Sequence, residues 1–135
     1  MGDEIKTAWV SSTVVHVEKP WGYEKAWRGT LPTTHAKTLY IKADCRTSLK
    51  YHRQKNEMLY LQAGEARVTY GDEMTLEHPD THPYKEEIIE CGQCLCVQTM
   101  CPYRIEAISD CLFIEVGDHH HDLPIRLEDD FGRIK

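Results

Sequence analysis

The chain has 135 residues, with 16 Lys and Arg against 22 Asp and Glu and a formal net charge of −6 at neutral pH. That length suits one domain around one core, and 41% hydrophobic with 28% charged residues excludes wholesale disorder. The acidic balance is a poor electrostatic match for nucleic acid or an anionic membrane surface, and no run reaches the roughly 18 apolar residues of a membrane span.

The opening Met1-Gly2-Asp3-Glu4-Ile5-Lys6 has neither the basic nor the apolar region of a secretory signal. The expected location is therefore the cytoplasm, where the six cysteines stay reduced rather than forming a disulfide framework. In chain order, short apolar or alternating runs predict strands over 13–17, 23–28, 37–42, 48–52, 57–63, 66–70, 86–90, 95–99, 103–107 and 111–116. Turn residues such as Gly29, Pro32, Gly64, Gly71, Pro79, Gly92, Pro102 and Gly117 stand between them. Strands at this spacing predict an all-β barrel or sandwich, a single domain over residues 1–135. No window keeps helical periodicity for three turns.

Within 48–52, alternation turns Ser48, Lys50 and His52 to one side, either into a ligand-holding barrel or out to solvent. Within 57–63 it puts Glu57, Leu59 and Leu61 on one face. The stretch 76–84, with two His-Pro pairs, reads as a surface loop, and the charged tail 125–133 as a surface segment. Cys91-Gly92-Gln93-Cys94 lacks the second pair of a zinc knuckle. Cys94 and Cys96 share a strand face, and we expect them to pack as small core residues. The triplet His119-His120-His121 reads as an exposed connection with adventitious metal affinity.

The densest chemistry is His52-x-Gln54-x-x-Glu57, followed by Gly64. An imidazole, an amide oxygen and a carboxylate can together serve a borderline divalent ion. This stretch resembles the first motif of the cupin superfamily, His-x-His with a Glu shortly after, then six residues and Gly. Lys19-Pro20-Trp21-Gly22-Tyr23-Glu24 resembles the Pro-Trp-Gly-x-Tyr-Glu opening of type II mannose-6-phosphate isomerases and of the isomerase domain fused to mannose-1-phosphate guanylyltransferases. Arg46-x-Ser48-Leu49, Gly64-Glu65-Ala66-Arg67-Val68-Thr69 and the tail from Ile125 to Arg133 resemble further motifs of the same family.

The resemblance implies a jelly-roll cupin, a homodimer and a divalent metal, zinc by the family's habit. It implies aldose–ketose isomerisation of a sugar phosphate in nucleotide-sugar or polysaccharide synthesis. By position it assigns the metal to His52, Gln54, Glu57 and Tyr103. Arg46 or Arg104 then falls to phosphate binding and Lys50 to proton transfer or phosphate binding. The chain departs from the family pattern, which has Gln, His and His where Lys50, Gln54 and Tyr103 stand. A phenol of ordinary pKa about 10 is a poor ligand, and the Lys50 cation opposes a divalent ion. In a regular strand Arg104 faces opposite to Tyr103, which favours a surface position for it over the phosphate role. Two functions therefore stay open, a metal-dependent sugar-phosphate isomerase and a cupin that binds a sugar or related small molecule without metal.

Overall fold

The computed structural model describes residues 5–27, 31, 34–118 and 123–134. Eleven strands run β1 (Val14–Lys19), β2 (Gly22–Trp27), β3 (Thr34–Ile41), β4 (Leu49–Tyr51), β5 (Glu57–Ala63), β6 (Glu65–Tyr70), β7 (Lys85–Glu90), β8 (Cys94–Val97), β9 (Tyr103–Ala107), β10 (Cys111–Asp118) and β11 (Ile125–Glu128). There is no helix among the described residues, so none is long and apolar enough to cross a membrane. Every pairing is antiparallel. Two sheets result, one in the order β1-β2-β3-β10-β5-β8 and the other β11-β4-β9-β6-β7.

The alternation seen in the sequence becomes the inside and outside of this sandwich. Leu39 and Ile41, Leu59 and Leu61, Ala66 and Val68, Ile105 and Ala107, and Cys111 and Phe113 all point inward and are buried. Each large aliphatic or aromatic side chain so buried contributes about 1.5–3 kcal/mol. Gly64 makes the tight link between β5 and β6 possible. It holds φ +100°, and a Cβ there would stand 2.3 Å from the Asp110 carbonyl oxygen.

Two expectations need correcting and one gains detail. The tail lies at the surface as expected, but as a strand: β11 adds to the second sheet beside β4, with Arg126 opposite Lys50. Its acidic residues staple it down. Glu128 takes Arg104 and Asp130 takes Arg46 on the barrel, while Asp129 takes Arg133 within the tail itself. Arg104 does face away from Tyr103, but it is buried rather than exposed, since the tail covers it. The thiols of Cys94 and Cys96 share a face, yet it is the solvent face of β8, because Leu95 and Val97 fill the core side. All six cysteines are free, and of them only Cys111 is buried. The 76–84 stretch is a turn-rich surface loop, within which His82 pairs with Asp72 at 2.9 Å. The 119–121 triplet lies outside the described residues.

Candidate functional site

The strands that build the core change character toward one end of the sandwich. On β5 the inward series is Glu57 and then Leu59 and Leu61. On β10 it is Glu115 and then Phe113 and Cys111, and on β3 His35 and Lys37 precede Leu39 and Ile41. In-register pairing sets Lys37 beside Glu115 and Glu115 beside Leu59, so the polar ends gather at one mouth. There a cavity of about 680 Å³ opens between the sheets. Ser48, Lys50 and His52 line it, as one of the two readings of their shared face expects.

Its centre is a closed network of charge. The Lys55 Nζ stands 3.2 Å from Glu57 Oε2 and 3.2 Å from Glu115 Oε2. The Tyr103 hydroxyl donates to Glu57 Oε1 at 2.9 Å, and His52 Nε2 lies 3.4 Å from the same oxygen. His35 Nε2 is 3.2 Å from Glu115 Oε2. Lys37 reaches Glu24 at 3.0 Å and Glu115 at 3.7 Å. Of this network Lys55, Glu57, Glu115, His52 and Tyr103 are all buried.

The electrostatics follow from that packing. Burial and the neighbouring Glu115 charge hold the Glu57 carboxyl above its ordinary range, against the pull of Lys55. Burial alone would raise Glu115 too, but His35, Lys37 and Lys55 outweigh it and hold that carboxyl well below the usual carboxylate range. Burial acts downward on Lys55, and the two carboxylates more than restore it, leaving it above its ordinary value. Burial together with the Glu57 charge drives the Tyr103 phenol far up. Lys50 is pushed down to about 8 by burial, which the charges of Glu57 and Glu115 only partly offset. Its Nζ sits 4.6 Å from the centre of the Tyr103 ring, a cation–π contact.

Of the residues expected to hold a metal, the structure brings His52, Glu57 and Tyr103 together and leaves Gln54 exposed, outside the cavity lining. Lys50 lines the cavity. Arg46 does not. It lies on the outer side of the second sheet, its Nε 2.6 Å from Asp130, in a shallow cleft with Arg67 and Arg104. That position suits holding the tail rather than holding a phosphate in the barrel.

A resident divalent ion does not fit this donor set. The carboxylate oxygens that face the cavity centre already receive an ammonium, a phenol and an imidazole. The cavity lining carries the carboxylates of Glu24, Glu57 and Glu115 against the cations of Lys19, Lys37, Lys50, Lys55, Arg126 and Arg133, so an added dication would stand uncompensated in a buried site. Among the described residues no group of three or more His, Cys, Asp or Glu side chains is arranged to hold a metal.

Sequence reasoning missed Lys55, Glu115, Lys37, His35 and Arg126. A signal was there for three of them: Glu115, Lys37 and His35 are polar residues in the inward phase of otherwise apolar strands. Arg126 lines the cavity from β11, next to Lys50. Its Nε is buried and has no hydrogen-bond partner among the described residues.

No protein-family model matches the chain, and no curated protein matches it. Solved structures do. CapF, the capsular polysaccharide assembling protein of Staphylococcus aureus, superposes with a TM-score of 0.71 at 12% identity, over 88% of this chain and 33% of that one. CapF bound to the inhibitor 3-isopropenyl-tropolone gives 0.70 at 14% identity, over 88% and 36%. A deletion mutant of Bacillus subtilis oxalate decarboxylase gives 0.74 at 17% identity, over 94% and 33%. The chain thus spans about a third of the length of the proteins it resembles. At these identities the likeness is one of fold, and the fold is a jelly-roll cupin.

Proposed function

We propose that the barrel cavity binds a small anionic sugar derivative, a sugar phosphate in the first place, without a resident metal. The observation that carries this reading is the pair Lys50 and Arg126. They stand side by side on paired strands, both line the cavity, and neither has a carboxylate partner among the described residues. Lys37 and Lys55 are already bound to carboxylates, so Lys50 and Arg126, with Lys19 in the same lining, are the cations that a ligand's phosphate can engage, the guanidinium by a forked contact. Ser48 lines the same cavity, and a hydroxyl there suits a polyol. The resemblance to capsular polysaccharide assembling proteins agrees with a place in sugar chemistry. Six free thiols agree with the reducing cytoplasm expected from the sequence.

The isomerase reading has one observation in its favour, an amine at Lys50 beside the ligand space and lowered toward neutrality. The test separates the two. Calorimetry is expected to show mannose-6-phosphate binding more tightly than mannose, with the preference lost in Lys50→Met and Arg126→Met. Equal affinity for the two sugars would overturn the anionic-ligand reading. Conversion of fructose-6-phosphate to mannose-6-phosphate by metal-free protein would instead establish the isomerase.

We place the expected homodimer on the outer face of the six-stranded sheet. Val14, Trp27, Val116, Met58 and Cys96 form an exposed row there from one sheet edge to the other.

A further inference from the structure

Outside the barrel, on the second sheet, one carboxylate is stretched over two guanidiniums. In-register pairing sets Arg67 of β6 beside Glu106 of β9, and Thr69 beside both Arg104 of β9 and Glu86 of β7. Arg46 joins them through a bridge to Glu106, and together they line a cleft of about 410 Å³. Arg67 is answered by Glu106. Arg46 takes both oxygens of Asp130, through Nε at 2.6 Å and Nη2 at 2.8 Å. Arg104 is left short. Its side chain is only 7% exposed, with Nε donating to the Thr47 carbonyl and Nη1 to Glu128. Its Nη2 makes no hydrogen bond among the described residues. Asp130 Oδ1 stands 3.7 Å from it, beyond hydrogen-bond reach and already held by Arg46. Burial and the like charge of Arg46 both push the Arg104 guanidinium below its ordinary value.

We propose that this cleft is a second anion site, separate from the barrel cavity, in which inorganic phosphate takes the place of Asp130 and bridges Arg46 and Arg104. Asp130 has two oxygens, both spent on Arg46. A phosphate ion presents four in diverging directions and carries more charge, so it serves both guanidiniums at once. Thr69 adds a hydroxyl to the same cleft. Arg46 and Asp130 are 40% and 39% exposed, so the seat is open to solvent and the pair that fills it is weak. Of the acidic residues in the lining, Glu106 is neutralised by Arg67, and Glu86 lies across Thr69 from Arg104. Phosphate and Asp130 exclude one another, so the ion competes with the tail for this seat. The assignment does not depend on what the barrel cavity holds.

The test is calorimetry of the full chain with inorganic phosphate at fixed ionic strength, in a Lys50→Met/Arg126→Met background that silences the barrel cavity. One phosphate per chain is expected to bind, and Arg46→Met to weaken it about 10-fold by removing one end of the bridge. Asp130→Asn should do the reverse and tighten phosphate about 10-fold, because the competing carboxylate is gone. A residue that only held the tail would not raise affinity when neutralised. Glycerol phosphate, an ester with one oxygen blocked, should bind more weakly than the free ion. No phosphate uptake, uptake indifferent to Arg46→Met, an Asp130→Asn variant that binds no more tightly, or glycerol phosphate binding as well as the free ion would each overturn the proposal. If the double variant does not fold, Lys50→Met alone replaces it, and the sign of the change in Asp130→Asn decides.

Discussion

At Glu115 three side chains from two different stretches of chain converge, His35 and Lys37 from β3 and Lys55 from the β4–β5 link. Removing its charge leaves Lys55 shared by Glu57 alone and Lys37 without its second partner. We expect Glu115→Gln to lose about 3–5 kcal/mol of stability at pH 7, the scale of a broken buried pair, measured by urea unfolding. The sign of the pH dependence follows from the direction of the shift. Glu115 is held below the ordinary glutamate value near 4.3, so its stabilising effect is complete above that pH and drains away as pH falls below it. Glu57 is shifted the other way, so its contribution weakens the fold as pH rises from about 4.3 through its raised value. The parent protein should therefore lose stability steeply below about pH 4.3, and Glu115→Gln should show a flatter acid limb. His52, Glu57 and Tyr103 were legible in the sequence as partners because a family pattern pointed to them. Lys55 was not, since a lysine in a short link carries no periodicity to say where its side chain goes.

The elements tell a similar story about which features alternation can reveal. Ten strands were legible as short runs between turn residues, and in each the division into two faces was correct where it could be read. Alternation does not say which face is inside. For β8 that choice rests on Leu95 and Val97 meeting the core, which left Cys94 and Cys96 in solvent. β11 escaped notice because Arg126 and Glu128 read as solvated charges and because its partner, β4, is far away in sequence. Its docking depends on the pairs that the tail makes with Arg46 and Arg104. Arg46 and Asp130 are each about 40% exposed, so their pair is worth about 1 kcal/mol or less in global stability. Arg46→Ala should accordingly leave the unfolding midpoint nearly unchanged while weakening sugar-phosphate binding, since β11 carries Arg126. Asp130→Asn should repeat the effect, and calorimetry beside a urea titration checks both. Equal losses in both measurements would show that Arg46 holds the barrel rather than the tail.

For the whole molecule, the two sheets present unequal outsides. The outer face of the second sheet is charged, with Arg67 paired to Glu106 and Arg104 to Glu128. The outer face of the first carries Trp27, Met58 and Val116, each between 37% and 49% exposed. The proposed dimer is expected to scatter light as two chains, and Trp27→Glu to bring it to one under reducing conditions, without loss of β structure by circular dichroism. A variant that stays dimeric would remove this face from consideration. The polar-to-apolar gradient along β3, β5 and β10 has a consequence for folding itself. A strand that slips by one residue turns its apolar set outward and is rejected at once. A slip by two keeps the faces right and in most sandwiches is the harder error to prevent. Here it would drive a carboxylate or an ammonium away from its partner and into the apolar half, at a cost of several kcal/mol. The residues that make the pocket thus also proofread the alignment of the strands that carry it.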